Sequence, residues 1–118
     1  MSPGPDADTA LLVHIRDCIE RIAEYAGGDR RRFDSSRLVQ DAIVRNLQTP
    51  AESSQRLSDA IKATEPQIAW HDLSGFRNIV VHGYLRLDLS IVWAIVEREL
   101  AALYAAAERM AERTAPKP

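Results

Sequence analysis

Between Phe76 and Tyr84 the chain reads Phe76-Arg77-Asn78-Ile79-Val80-Val81-His82-Gly83-Tyr84, and its polar residues are the ones best suited to chemistry. An arginine supplies a permanent positive charge and a planar fork that fits phosphate oxygens. A histidine serves as proton donor or acceptor near neutral pH. Together Arg77 and His82 suit cleavage of RNA by attack of a 2'-hydroxyl on the adjacent phosphorus. That step needs a base for the hydroxyl, an acid for the leaving 5'-oxygen, and positive charge at the phosphorane-like transition state. Asn78, beside Arg77, is the supporting polar residue, and Tyr84 places a hydroxyl two residues beyond His82. On an ideal helix, positions five apart point about 140° away from each other, so Arg77 and His82 cannot share one face. They converge only if the helix ends between them, which Gly83 permits, or if a second protomer supplies half the site. Read without this chemistry, Arg77 and Asn78 are an exposed helical stripe, His82 neutralises carbonyls at a helix end, and Tyr84 packs under the next loop.

The rest of the chain offers less. The three histidines are His14, His71 and His82, and no cluster of carboxylates stands at ligand spacing beside them, so neither a metal nor another cofactor is expected. His14 and the lone cysteine Cys18 share a helical face but make at best half a metal site. His71, between Trp70 and Asp72, reads as a polar position near a helix start. Fifteen Lys and Arg against 17 Asp and Glu leave a net charge of -2, which excludes a global positive field, so contact with nucleic acid must be local. Arg30-Arg31-Arg32 is a candidate basic patch, although Asp29 and Asp34 flank it and favour a solvated loop. A single cysteine excludes a disulfide framework and fits a reducing compartment. The first residues lack a basic region followed by an apolar run, and Leu89 to Val96 is too short to span a bilayer. A cytoplasmic protein without a membrane segment is expected.

A chain of 118 residues holds one domain, and 46% hydrophobic with 27% charged residues is globular composition. Residues 1–7 and 114–118 are expected to be flexible tails around a single domain over 8–113. Apolar residues recur at steps of three and four, which predicts four helices. The first carries Leu11, Leu12, Ile15, Cys18, Ile19, Ile22 and Ala26 and stops at Gly27-Gly28. The second starts at Asp34 or Ser35, carries Leu38, Val39, Ala42, Ile43, Leu47, Leu57, Ala60 and Ile61, and closes near Thr64. Within it Pro50 removes a backbone donor at a cost of about 3 kcal/mol, which predicts a kink or break between Leu47 and Ala51. A third helix starts at Pro66, with Ala69, Leu73, Phe76 and Val80 on one stripe, and ends at Gly83. Asp88 opens the fourth, with Leu89, Val92, Trp93, Val96, Leu100, Leu103, Ala107 and Met110 facing inward. Short connections between amphipathic helices imply an all-α, antiparallel, up-and-down four-helix bundle.

The pattern of Arg77, four residues, His82, one residue and Tyr84 resembles that of HEPN domains of the HepT type. Ala42-Ile43-Val44-Arg45-Asn46-Leu47, Trp70, and Leu87-Asp88 through Val92-Trp93 are similar to the same family. The chain departs from it at Thr49-Pro50-Ala51, where such proteins more usually carry an apolar pair and a glycine before the position held here by Glu52. The resemblance implies a metal-independent toxin ribonuclease, a symmetric homodimer in which Arg77 and His82 of both protomers line one cleft. It also implies a cognate nucleotidyltransferase antitoxin that attaches AMP to Tyr84, and an RNA substrate, with transfer RNA the family-based expectation. The alternative is a noncatalytic HEPN helical module that docks a nucleotidyltransferase or nucleic acid.

Overall fold

The computed structural model describes residues 5–73 and 88–114, and among these every regular element is helical. They are α1 (Pro5–Ala26), α2 (Arg30–Ser35), α3 (Arg37–Arg56), α4 (Asp59–Lys62), α5 (Leu89–Arg98) and α6 (Leu100–Thr114), with a further helical run at residues 70–73. The all-α bundle expected from the periodicity is present. No helix among the described residues is long and apolar enough to cross a membrane.

Helix α1 is the axis of the packing. At 1.5 Å per residue its 22 residues run for about 33 Å. Leu12, Ile15, Cys18, Ile19, Ile22 and Ala26 are all buried along one stripe, as their spacing requires. Helices α3 and α6 pack along it, meeting that stripe with Ile43, Val44, Leu47 and Ala51 from α3 and Leu103, Ala106, Ala107 and Met110 from α6. The helix stops where Gly27 (φ 58°) and Gly28 (φ 67°) enter the left-handed region, which a Cβ disfavours.

Three boundaries differ from the sequence expectation. Arg30-Arg31-Arg32 is a helix rather than a loop: Asp29 caps it by accepting from the Arg31 N–H at 2.9 Å, and Phe33 is buried beneath it. Ser36, not Asp34 or Ser35, then caps α3 by accepting from the Val39 N–H at 3.2 Å. Leu38 points outward, 80% exposed, instead of into the core, because on one helix it lies about 140° from Ile43 and about 180° from Leu47. Of the kink or break expected near Pro50, the break is absent, since α3 continues through a buried Pro50 to Arg56. The long second helix ends instead at Leu57, whose ψ of 144° is extended. A buried carboxylate from α1 takes over there: Asp8 accepts from the Ser58 N–H at 2.9 Å and from the Ser58 hydroxyl at 2.7 Å. Ser58 in turn accepts from the Ile61 N–H and starts α4.

The remaining differences concern the second half of the chain. The helix predicted from Pro66 starts at Trp70; Ala69 is exposed and Leu73 half-buried, while Phe76, Val80 and Gly83 lie outside the described residues. Asp88 caps the last helix as expected, accepting from the Ser90 N–H at 2.9 Å. That helix is divided at Glu99 (φ -108°, ψ -29°), yet the Glu99 N–H still reaches the Ile95 carbonyl and the Leu103 N–H the Glu99 carbonyl. Helix α5 places Trp93 against Phe33 of α2, with ring centroids 5.3 Å apart.

Candidate active site

Arg77, Asn78, His82 and Tyr84 all lie outside the described residues, between Leu73 and Asp88. The structure defines the two flanks from which the chain enters and leaves this segment. On the leaving side, Asp88 caps α5, Val92 and Trp93 are buried, and the Arg30 guanidinium reaches the Ser90 hydroxyl at 3.5 Å. On the entering side stands a polar cluster that the sequence reading missed.

Glu65 precedes Pro66 in the turn after α4, and it is only 2% exposed. Burying a carboxylate is costly unless charge and hydrogen bonds replace its water. Helix α6 supplies both. Arg109 donates to Glu65 Oε1 through Nε at 3.0 Å and again through Nη2, while Arg113 donates from Nη1 to Oε2. Arg113 Nη1 also reaches the Thr64 hydroxyl, and Gln67 Nε2 reaches Oε1 at 2.8 Å. The Arg109 and then the Arg113 guanidinium hold the Glu65 carboxyl down at about 2, against burial, which pushes it up. The Glu65 carbonyl accepts from the Ile68 N–H and from the Trp70 indole, which also reaches the Lys62 carbonyl. Ile68, Trp70 and Leu73 pack against the core, so the turn is tied both to α6 and to the helical run that leads toward Arg77.

A pH dependence follows from the lowered carboxyl. A group whose pKa falls on folding stabilises the fold in its charged form, fully above the unfolded value of about 4.5 and less as pH drops toward about 2. Urea midpoints are expected to fall through that window, and Glu65→Gln is expected to flatten the slope there. Equal slopes in both proteins would rule the contribution out.

The other candidates resolve differently. Cys18 is buried and its thiol is pushed up, first by that burial and with partial offset from a hydrogen bond to Thr49, while His14 on the same helix is exposed. His71 is exposed. No group of three metal-ligating side chains occurs among the described residues. Tyr25 packs half-buried against the core. Tyr104 donates to Glu20 Oε1 at 2.6 Å, a bond that pushes its phenol up, and the Arg16 guanidinium lies 5.7 Å from its ring centre. Arg45 is exposed, and Asn46 spends its amide on the Ala42 carbonyl at 2.8 Å. Of the arginine patch, Arg30 pairs with Asp34 at 3.3 Å, and Arg31 and Arg32 are exposed on α2. Glu65 gave no sequence signal beyond the four-residue step between Arg109 and Arg113, because nothing in local spacing pairs residues 44 positions apart.

Comparison with known proteins accounts for the same stretch. The family described as ribonuclease HepT-like matches residues 15–110, a range that includes the whole Arg77–Tyr84 segment and both of its flanks. A Methanocaldococcus jannaschii protein named as a candidate RNase is 25% identical over 92 residues, covering 77% of this chain and 84% of that one. A Thermococcus cleftensis protein named "Probable ribonuclease HepT" is 25% identical over 100 residues, covering 84% of this chain and 91% of that one. A second M. jannaschii protein, named as a gamma-glutamylcyclotransferase and candidate RNase, is 28% identical over 93 residues; these are 78% of this chain but 42% of that longer one. No solved structure matches the chain at comparable significance. With the match running from the middle of α1 to Met110 of α6, the chain belongs to the HepT-like ribonuclease family.

Proposed function

We propose that this protein is a cytoplasmic HEPN-type endoribonuclease, the toxin of a toxin–antitoxin pair, folded as one domain over residues 8–113 and acting as a symmetric homodimer. The observation that carries the reading is the family match across residues 15–110, a range that contains Arg77, His82 and Tyr84. In the proposed reaction the 2'-oxygen bonds to phosphorus, the bond from phosphorus to the 5'-oxygen breaks, and a 2',3'-cyclic phosphate and a 5'-hydroxyl result. One His82 takes the proton of the 2'-hydroxyl and the partner's His82 returns one to the leaving oxygen. Arg77 stabilises the charge on the non-bridging oxygens, and Asn78 supports it. The angular mismatch between positions five apart motivates the dimer, because a two-fold axis brings two copies of each group to one phosphate. The substrate is RNA, with transfer RNA the first class to assay. Tyr84 is the regulatory hydroxyl: AMP attached there by a partner nucleotidyltransferase adds a negative phosphodiester and a nucleoside beside Arg77 and excludes RNA by charge and bulk.

The test is cleavage of transfer RNA by the purified chain in EDTA, with end analysis, sedimentation, and intact-mass analysis after co-expression with a neighbouring nucleotidyltransferase. Cyclic phosphate ends, a dimer, and an AMP adduct on Tyr84 that silences cleavage are expected. Strict dependence on added metal would overturn the mechanism, and a monomer at tens of micromolar would overturn the composite site. An adduct on another residue would remove Tyr84 from its role. Docking of the nucleotidyltransferase or RNA without His82-dependent turnover would establish the noncatalytic module instead.

A further inference from the structure

Resting on the ribonuclease reading above, we propose that Glu65 is a positioning residue for RNA cleavage: clamped by Arg109 and Arg113, it fixes the turn from which the chain runs into the Arg77–Tyr84 segment. The contacts form one continuous series. Two guanidinium groups of α6 grip the Glu65 side chain, the Glu65 carbonyl accepts from the Ile68 amide and the Trp70 indole, and Trp70 begins the helical run at residues 70–73. Arg77 stands seven positions after Trp70 in the sequence, so under the proposal this turn is the anchored near end of the stretch that carries the phosphate-binding group.

Glu65 does not itself act on RNA. Its Oε1 accepts from Arg109 and Gln67, its Oε2 accepts from Arg113, and it is almost wholly buried and ionised at neutral pH, so no oxygen is left to move a proton in a cleft. Stability alone is a poor reason for such a cluster: the carboxylate is desolvated, while Arg109 and Arg113 stay 46% and 40% exposed, so its burial cost is set against an attraction that solvent weakens at both guanidinium groups. What two guanidinium forks add is direction, because each bond to the carboxylate restricts both distance and angle. Proton transfer and phosphate binding are sensitive to this kind of restriction, and a misplacement of about 1 Å can lower a rate by about a hundredfold.

The experiment compares wild type, Glu65→Gln and Ile15→Val, the last a core substitution on α1 that lowers stability away from the turn. Single-turnover and steady-state cleavage of one RNA is measured at a temperature where all three are folded, together with amide hydrogen exchange. Glu65→Gln is expected to lower kcat by about ten- to a hundredfold with KM within about twofold of wild type. Exchange should quicken at the amides of Ile68, Trp70 and Leu73, each hydrogen-bonded within the turn or the helical run, while α1 and α3 keep their protection. Ile15→Val is expected to keep wild-type kcat despite a lower melting temperature. An unchanged kcat in Glu65→Gln, unchanged exchange at the three amides, or an equal loss of kcat in Ile15→Val would each overturn the positioning role while leaving the nuclease reading in place. A wild type that cleaves no RNA is a separate result that overturns the nuclease reading and this role with it.

Discussion

His82→Ala is expected to cleave RNA about 10²- to 10⁴-fold more slowly than wild type while keeping its helix content and melting temperature. The range is what a positioned proton donor or acceptor contributes, and in the proposed dimer one substitution removes the acid and the base together. Residual cleavage then reflects charge stabilisation by Arg77, which leads to a second arm of the same measurement. Arg77→Lys keeps the positive charge but loses the planar fork, so a loss of about a hundredfold is expected where a simple charge requirement would leave the rate nearly intact. Single-turnover rates with enzyme in excess are the appropriate readout, because they report the chemical step without product release. Full activity in either variant would remove that residue from the mechanism. Circular dichroism and thermal melts of each variant separate a catalytic defect from a folding defect.

Phe33→Ala is expected to destabilise the fold by about 3–5 kcal/mol, a large share of the 5–15 kcal/mol typical of a domain. Helix α2 has six residues, too few to persist on its own, and Phe33 is the one residue it buries. The ring is 0% exposed and meets Trp93 of α5 at an interplanar angle of 38°. Truncation therefore removes the anchor of α2 and leaves a cavity against Trp93. Urea unfolding should show a lower midpoint with an unchanged slope if the native state otherwise persists. Arg31→Ala, on the exposed side of the same helix, is expected to stay within about 0.5 kcal/mol of wild type. Equal stability of the Phe33 variant would mean that α2 is not held by its ring.

What the sequence determined by itself is local or repetitive. The three- and four-residue recurrence along α1 predicted a stripe that is buried except at the half-buried Leu11, Gly27-Gly28 marked its end, and Asp88 marked the start of α5, because each signal acts within about one helical turn. The motif from Arg77 to Tyr84 was legible as spacing and residue type, and its family membership followed from the match over residues 15–110. Tertiary structure decided the features that depend on partners distant in the chain. Helix α3 passes through Pro50 and stops instead at Arg56, next to where Asp8, 50 positions away, captures Ser58. The arginine run became α2 because its one apolar face found Trp93. Glu65 became a clamp because folding laid Arg109 and Arg113 across it. Helix periods and caps record interactions within a few residues, whereas the favourable burial of a charge is set by which distant groups the fold brings to it, and one-dimensional spacing carries no record of that meeting.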